Sequence, residues 1–350
     1  MSKRQIAGYY FYPLALILTA FLGPSAWAQA DFYSGKTIRI IVGLSTGGGY
    51  DRAARMLARQ LGKYIPGNPS IVVQNMPGAT SVTAANYVSG VAKPDGLTIL
   101  APHNNLYLSQ LSGQKEVKFD LTKMIWIGSL ENDDMVLFAR ADAPYKSIDD
   151  IIKAKELPKC GSTGVGSSDY VMSKILEETV GAKVTHVTGY PGSSEIAIAL
   201  ERGEVQCMGL TIATYYGREP FLGWLKTNFT RFLAQSGRKR SDRVADAPTV
   251  YELMDRYKTP ATKRRTTEAM LQGGEWARPV LVAPNTPPDR VKLLRLAHEK
   301  AARDPELLAE AKKLRMDVVH NSGAELQKTA SQVMNQPAEV IDAIKKLFVN

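Results

Sequence analysis

The segment Gly43-Leu44-Ser45-Thr46-Gly47 fits the pattern G-x-S-x-G, in which a serine acts as the nucleophile of a hydrolase. Such a serine needs an acid and then a histidine further along the chain. His103 follows a predicted strand of the same first α/β series as Ser45, and His186 lies inside a predicted strand. The other two histidines are expected on polar faces of helices near the end of the chain: His298 and His320. A secreted serine hydrolase that uses Ser45 is therefore the alternative interpretation.

The residues after Ser45 favour the binding of an anion. The three glycines 47–49 end a predicted strand and run into a helix that begins near Tyr50 and Asp51. Glycine lets the backbone approach a ligand closely, and the first N–H groups of a helix carry partial positive charge. The segment therefore predicts a cradle for a carboxylate, although Asp51 is also typical of a helix cap.

The same residue types follow the other predicted strands. These loops contain Gly, Ser, Thr and Asn: 75–81, 102–105, 161–168, 190–194 and 211–214. Ligands of open α/β sheets bind outside the carboxyl ends of the strands, where such loops meet. A ring of N–H and O–H donors predicts a site for a small organic acid.

Other chemistries lack their motifs. Gly49 stands where a nucleotide-binding P-loop needs lysine, and the loop 161–168 lacks the third glycine of a dinucleotide site. The sequence has no metal-ligand spacing, so neither a metal nor a cofactor is expected. Cys160 and Cys207 lie in apolar segments and are expected to be buried free thiols, with a disulfide as the alternative.

The formal net charge of +10 favours anionic partners in general. The densest basic patches of the chain are 237–243 and 263–265, and neither has aromatic residues between its basic ones. They are interpreted as solvated faces, and no nucleic acid is expected as a partner.

Residues 1–30 resemble a secretory signal peptide. Lys3 and Arg4 precede a short apolar run, and small residues then allow cleavage after Ala28 or Ala30. A membrane anchor is the alternative. The mature chain is therefore expected to be exported to the periplasm.

Strand and helix patterns alternate twice, which is typical of α/β units with parallel strands. The first series covers 37–102 and the second 158–237. A strand near 278–287 and a run of helices follow, and the polar segment 256–277 is interpreted as a surface excursion.

Seven segments resemble, in the same order, motifs of the solute receptors of tripartite tricarboxylate transporters, the Bug-type receptors. They span roughly residues 36 to 345: KTIRIIVGLSTGGGYDRAARMLARQL, VVQNMPGATSVTAANYV, KPDGLTIL, KCGSTGVGSSDYV, VTGYPGSSEIAIALERGEVQCM, GRKRSDRVADAPTVYE and LVAPNTPPDRV.

The resemblance implies a type II periplasmic binding protein fold of class α/β. Two α/β domains would be joined by two crossing strands, near 135–141 and 278–284, with a ligand cleft between them. Domain 1 would comprise 31–136 plus 281–350, and domain 2 would comprise 137–280. Such a receptor is expected to be a monomer that does no chemistry and delivers a carboxylate to a membrane permease. A signalling receptor of the same fold is a further alternative.

The candidate ligand-binding residues are those that the resemblance indicates, together with Ser45 and Thr211. They are Ser45, Thr46, Gly47, Gly48, Gly49, Tyr50, Asp51, Ala79, Thr80, His103, Asn104, Gly164, Ser167, Ser168, Tyr190, Gly192, Ser193 and Thr211.

Three loops depart from the family's usual form. Ser45 and Thr46 replace Pro or Ala, and His103 and Asn104 replace small hydroxyl residues. The family often has an aspartate after the strand VQCMGL, where this chain has 209–211, Gly-Leu-Thr. The loss of that acid predicts a more anionic or less amine-like ligand.

Overall fold

The computed structural model describes residues 32–131 and 134–348. The predicted signal peptide at 1–30, with both cleavage positions, lies outside these residues. The strands of the described chain are β1 (Thr37–Val42), β2 (Ser70–Asn75), β3 (Thr98–Ala101), β4 (Ile125–Glu131), β5 (Met135–Arg140), β6 (Lys159–Gly161), β7 (Thr185–Val187), β8 (Cys207–Thr211), β9 (Thr230–Gln235), β10 (Ala277–Val282) and β11 (Asn321–Ser322).

The α-helices lie mostly between the strands. They are α1 (Gly49–Leu61), α2 (Val82–Gly90), α3 (Leu106–Leu111), α4 (Ile148–Lys153), α5 (Ser168–Val180), α6 (Ser193–Glu201), α7 (Ile212–Gly217), α8 (Phe221–Thr227), α9 (Val250–Arg256), α10 (Ala261–Leu271), α11 (Pro288–Ala302), α12 (Pro305–Leu314), α13 (Gly323–Met334) and α14 (Ala338–Phe348).

Two sheets form the cores of two lobes. The first lobe has the strand order β11-β4-β10-β3-β1-β2, in which β1, β2 and β3 are parallel. Helix α1 covers β1 because its apolar residues recur every three or four positions: Ala54, Leu57 and Leu61 are all buried. The alternation of strand and helix in the sequence therefore predicts this lobe correctly.

The second lobe has the strand order β7-β6-β8-β5-β9, with β6, β7 and β8 parallel. The parallel β6–β8 pairing sets Cys160 opposite Cys207, and the two form a disulfide across a Cα–Cα distance of 4.4 Å. The expectation of two free thiols is wrong. Strand register, which brings these cysteines together, is not visible in their spacing along the chain.

The chain passes from the first sheet to the second between β4 and β5. Strand β5 pairs with β8 and β9, and β10 pairs with β3 and β4, so each of these strands belongs to a single sheet over its whole length. The domain boundaries at 136/137 and 280/281 stay predictions.

The segment 256–277 is not a surface excursion over its whole length. Helix α10 packs against α5 and α14, and Trp276 is fully buried. The Tyr107 hydroxyl lies 2.9 Å from the carbonyl oxygens of Ala269 and Met270. The few apolar residues of this polar segment anchor it, which average composition does not indicate.

The expected polar position of His298 is also wrong. Its imidazole is fully buried where α11 packs on β4, beside the His320 ring at 5.3 Å. A Cβ at Gly128 of β4 would lie 2.4 Å from that imidazole. The packing of α11, α12 and α13 on the first lobe agrees with the expected return of the helical tail. Among the described residues, no helix has the length and apolar character needed to cross a bilayer.

Candidate functional site

A cleft of about 80 Å³ lies between the lobes, at the carboxyl ends of β1, β6 and β8. One buried water needs about 10–15 Å³ on this measure, so the cleft has room for a small organic molecule. Its walls are formed by Leu44, Ser45, Gly48, Gly49, Tyr50, His103, Thr163, Ser167, Ser168, Asp169, Pro191, Gly192, Ser193, Ile196, Gly209, Leu210, Thr211, Thr214 and Arg278.

Ten of the eighteen candidate residues line this cleft. They are Ser45, Gly48, Gly49, Tyr50, His103, Ser167, Ser168, Gly192, Ser193 and Thr211. The other eight lie around it: Thr46, Gly47, Asp51, Ala79, Thr80, Asn104, Gly164 and Tyr190. The sequence therefore indicates loops that form this cleft but not which residue of each loop faces inward.

Asp51 holds the glycine loop from behind. Its carboxylate accepts hydrogen bonds from the Gly47 N–H at 2.9 Å, from Arg55 Nε at 3.0 Å and from Asn75 Nδ2 at 3.0 Å. Burial alone would raise the pKa of Asp51, but these hydrogen bonds together hold it below its ordinary value. Asp51 is thus an ionised group that shapes the loop.

Asn104 supports the wall that carries Tyr50. The Tyr50 hydroxyl donates to Asn104 Oδ1 at 2.6 Å, and Asn104 Nδ2 donates to the Gly273 carbonyl at 2.7 Å. Trp276 Nε1 donates to the Asn104 carbonyl at 2.9 Å. The segment after α10 therefore fixes one side of the cleft.

Ala79, Thr80 and Gly164 lie where the lobes touch beside the cleft. Thr80 Oγ1 donates to the Val165 carbonyl at 3.2 Å, and a Cβ at Gly164 would lie 3.5 Å from that hydroxyl oxygen. Tyr190 packs against the core of the second lobe. The hydrogen bond from Thr80 to Val165 therefore links the two lobes beside the cleft.

Three helices begin at the cleft: α1, α5 and α6. Their first positions are preceded by Gly48, Ser167 and Gly192, none of which caps its helix with a side-chain hydrogen bond within the described chain. The first N–H groups of a helix have no partner inside the helix and carry partial positive charge. The starts of α1 and α6, one from each lobe, therefore favour an anion in the cleft, whereas at the start of α5 the Asp169 carboxyl accepts the Tyr170 N–H.

Arg278 brings a full positive charge to the same place, and sequence reasoning missed it. Its side chain is 4% exposed, and Nη2 donates to Thr214 Oγ1 at 3.2 Å. The guanidinium lies 4.3 Å from the centre of the Tyr50 ring, and Nε lies 3.3 Å from Glu131 Oε2. Burial raises the pKa of Glu131, while Arg278 lowers it by a smaller amount. An arginine at the start of an otherwise apolar strand was the available indication.

Asp169 also lines the cleft, in the first turn of α5, and was not predicted there. Burial raises the pKa of its carboxyl to about 7, against the opposing effect of hydrogen bonds from Ser167 and from backbone N–H groups. The cleft thus has an acid that enters from another loop, although the aspartate usual after the strand VQCMGL is absent.

His103 is a neutral imidazole. Burial and the nearby Arg278 lower its pKa to about 3. Nδ1 accepts the Asn105 N–H at 3.1 Å, and Nε2 lies 3.4 Å from Ser168 Oγ. A catalytic triad would instead have this ring donate to a carboxylate and contact the nucleophile. Ser45 faces Gly192 across the cleft, so the hydrolase arrangement is not formed here.

The described residues contain no group of three or more side chains that could hold a metal ion. What the arrangement can do is hold a small anion between helix termini, hydroxyl groups and one guanidinium.

Two curated relatives match parts of the chain. A UPF0065 protein encoded in the gbd 5' region of Cupriavidus necator is 31% identical over 243 residues, which is 67% of this chain and 70% of the relative. A UPF0065 protein of Bordetella pertussis is 29% identical over 203 residues, 57% of this chain; the match spans only 62% of that relative's length.

Solved structures share the fold. The periplasmic binding protein BugD matches with a TM-score of 0.70 at 21% identity, over 91% of this chain and 99% of its own. MatC from Rhodopseudomonas palustris with bound malate matches with a TM-score of 0.68 at 19% identity, over 89% of this chain and 99% of its own. An R. palustris protein with adipate matches with a TM-score of 0.67 at 18% identity, over 88% of this chain and 97% of its own. The α/β fold of two lobes with a cleft between them is thus that of periplasmic binding proteins.

A family model described as the tripartite tricarboxylate transporter family receptor matches residues 53–346, which includes most of the loops that form the cleft. With this match and the relative from Cupriavidus necator, the chain belongs to the receptor family of the tripartite tricarboxylate transporters.

Proposed function

We propose that this protein is a periplasmic receptor that binds a small organic acid between its lobes and delivers it to the membrane permease of a tripartite tricarboxylate transporter. It acts as a monomer, without cofactor or metal, and does no chemistry on the acid. The domains are 31–136 plus 281–350 and 137–280, after removal of a signal peptide at 1–30.

One observation carries this proposal. The uncapped starts of α1 and α6 line the same cleft as the Arg278 guanidinium. All three present N–H donors with positive character to one small volume, which matches the oxygens of a carboxylate. The malate and adipate bound by two structural neighbours are carboxylates as well.

The ten candidate residues that line the cleft are proposed to contact the ligand, and Arg278 is added to them. The eight around it are proposed to hold the loops and the contact between the lobes. Tight binding then requires the lobes to close on the ligand, so that both walls donate to it.

A thermal-shift screen of the mature chain tests the receptor function. Monocarboxylates, dicarboxylates, tricarboxylates and aromatic acids are compared, and a hit raises the melting temperature by more than about 2 °C, an increase that grows with the logarithm of the ligand concentration above the dissociation constant. Calorimetry then gives the affinity, and chromatography of the recovered ligand must show no product.

Ser45→Ala separates the receptor from the hydrolase. A receptor keeps its fold and loses affinity only modestly, because the helix termini and Arg278 remain. Turnover of an ester or amide by the wild type that Ser45→Ala abolishes would overturn the proposal. So would the absence of any shift across the whole panel of acids.

A further inference from the structure

The buried carboxyl group of Asp169 is the starting point. Asp169 is 6% exposed and lines the cleft. Its carboxyl oxygen Oδ2 has no hydrogen-bond partner among the described residues. Hydrogen bonds from Ser167 and from the backbone of Thr163 and Tyr170 act on this carboxyl group. One oxygen of a held carboxyl thus still needs a donor.

A buried acceptor without a partner is costly, and native proteins almost always satisfy such atoms. Here the missing donor can come from a ligand, because the atom belongs to a residue in the wall of the cleft. Charged side chains of the helices packed on α5 do not supply it: Lys263 of α10 pairs with Glu178 at the other end of α5, and Arg256 of α9 pairs with Asp149.

The other ionisable groups of the cleft, Arg278 and His103, belong to the first lobe and have partners of their own. Arg278 contacts Thr214, Glu131 and the Tyr50 ring. His103 is neutral and faces Ser168. The cleft therefore offers its positive charge on β10 of the first lobe and its acid on α5 of the second.

The position of the acid depends on a glycine. A Cβ at Gly209 would lie 2.5 Å from Asp169 Cα and 3.2 Å from Asp169 Cβ. Any larger residue at 209 would push the start of α5 away from β8. Gly209, inside β8, thus makes room for an acid from the neighbouring helix.

We propose that Asp169 accepts a hydrogen bond from a hydroxyl or ammonium group of the bound acid, and so selects hydroxy- or amino-substituted carboxylic acids over their unsubstituted parents. This inference rests on the proposed receptor function and deepens it by naming the substrate class. The carboxylate of the ligand meets the helix termini and Arg278, and its donor group meets Asp169 Oδ2. The raised pKa of the free carboxyl is consistent with an acceptor that lacks its donor.

Matched acids of equal carbon skeleton test the selection. Succinate, malate and aspartate differ only at one position, as do glutarate, 2-hydroxyglutarate and glutamate, and propionate, lactate and alanine. Affinities for the full mature chain are measured by calorimetry. At least one substituted acid should bind roughly tenfold or more tightly than its parent, because a hydrogen bond to a charged group supplies that discrimination.

Two variants assign the preference to Asp169. In Asp169→Ala the ratio of affinities should fall below about threefold through loss of the acceptor. Asp169→Asn keeps an acceptor oxygen without charge, so a hydroxyl preference should persist in part and an ammonium preference should disappear. Glu177→Ala removes an acid from the same helix outside the cleft and should leave the ratio unchanged.

Equal binding of parent and substituted acids by the wild type would overturn the proposal, as would a preference that survives Asp169→Ala. Melting temperatures of both variants establish that they are folded. Failure of the receptor function itself looks different, since no acid of any series would then bind, and it would overturn this proposal too.

Discussion

Replacing Gly192 with alanine adds a methyl group to the contact between the two lobes. Gly192 has an extended backbone, with φ −166°, so alanine fits its conformation. The added Cβ would lie 2.7 Å from Ser45 Oγ in the first lobe and 3.1 Å from Glu195 Oε2. Glu195 is exposed and can turn aside, whereas Ser45 faces Gly192 across the cleft.

The expected cost follows from that distance. An ordinary contact begins at 3.4 Å, so Ser45 and Gly192 must separate by about 0.7 Å. Overpacking of this kind costs about 1–3 kcal/mol, which corresponds to roughly 5- to 150-fold weaker binding if the ligand requires closure. The melting temperature without ligand should change little, because the open lobes avoid the clash.

Calorimetry with the tightest acid of the screen measures the effect, and Ser45→Ala is the matched rescue. In the double variant the Oγ is absent, and the nearest remaining atom of the first lobe, Ser45 Cβ, lies 4.0 Å from the new methyl group. Affinity should return to that of Ser45→Ala alone. Wild-type affinity in Gly192→Ala, or a double variant as weak as the single one, would refute closure against Ser45.

Three further predictions concern single groups. Arg278→Gln should weaken carboxylate binding roughly tenfold or more in calorimetry, since a charged donor is lost. Adding Glu131→Gln to this variant should recover thermal stability but not affinity. Unchanged affinity in Arg278→Gln would contradict the proposed contact of Arg278 with the carboxylate. The double variant Cys160→Ser, Cys207→Ser should lower the free energy of unfolding by about 4 kcal/mol in urea titrations, because the bridge closes a loop with a sequence separation of 47. A urea midpoint equal to that of the wild type would contradict this. Burial raises the pKa of Asp169 from 3.8 to about 7, so the folded state keeps a proton that the unfolded chain releases, and this group weakens the fold as pH rises through that range. Asp169→Asn should therefore raise the melting temperature more at about pH 8 than at about pH 5, and a gain that shrinks with pH would contradict the assignment.

Much of the fold was predictable because its pattern is local. The predicted strand 37–44 contains β1, and the predicted helix after it contains most of α1. Glycine and hydroxyl residues at strand ends indicated the loops of the cleft, since tight turns and open N–H groups require them. The motifs in their order also indicated the family.

The position of each residue within the site was less predictable. Ser45 faces the cleft and Thr46 does not, although both follow the same strand. Backbone direction within a loop depends on contacts such as those of Asp51 with Gly47 and Arg55, which no periodicity reports. Sequence reasoning therefore located the loops but did not indicate which of their residues face the cleft.

The sequence by itself determined the order of strands and helices, the donor-rich loops and the family, because each depends on the residue types of short continuous segments. Only the tertiary structure decided that Cys160 meets Cys207, that His298 is buried, and that Arg278 and Asp169 share one cleft. Arg278 and Asp169 are 109 positions apart in the chain and belong to different lobes, one on strand β10 and the other on helix α5. Local pattern indicates which segments are strands and helices, but strand register and the contact of the lobes decide which side chains meet.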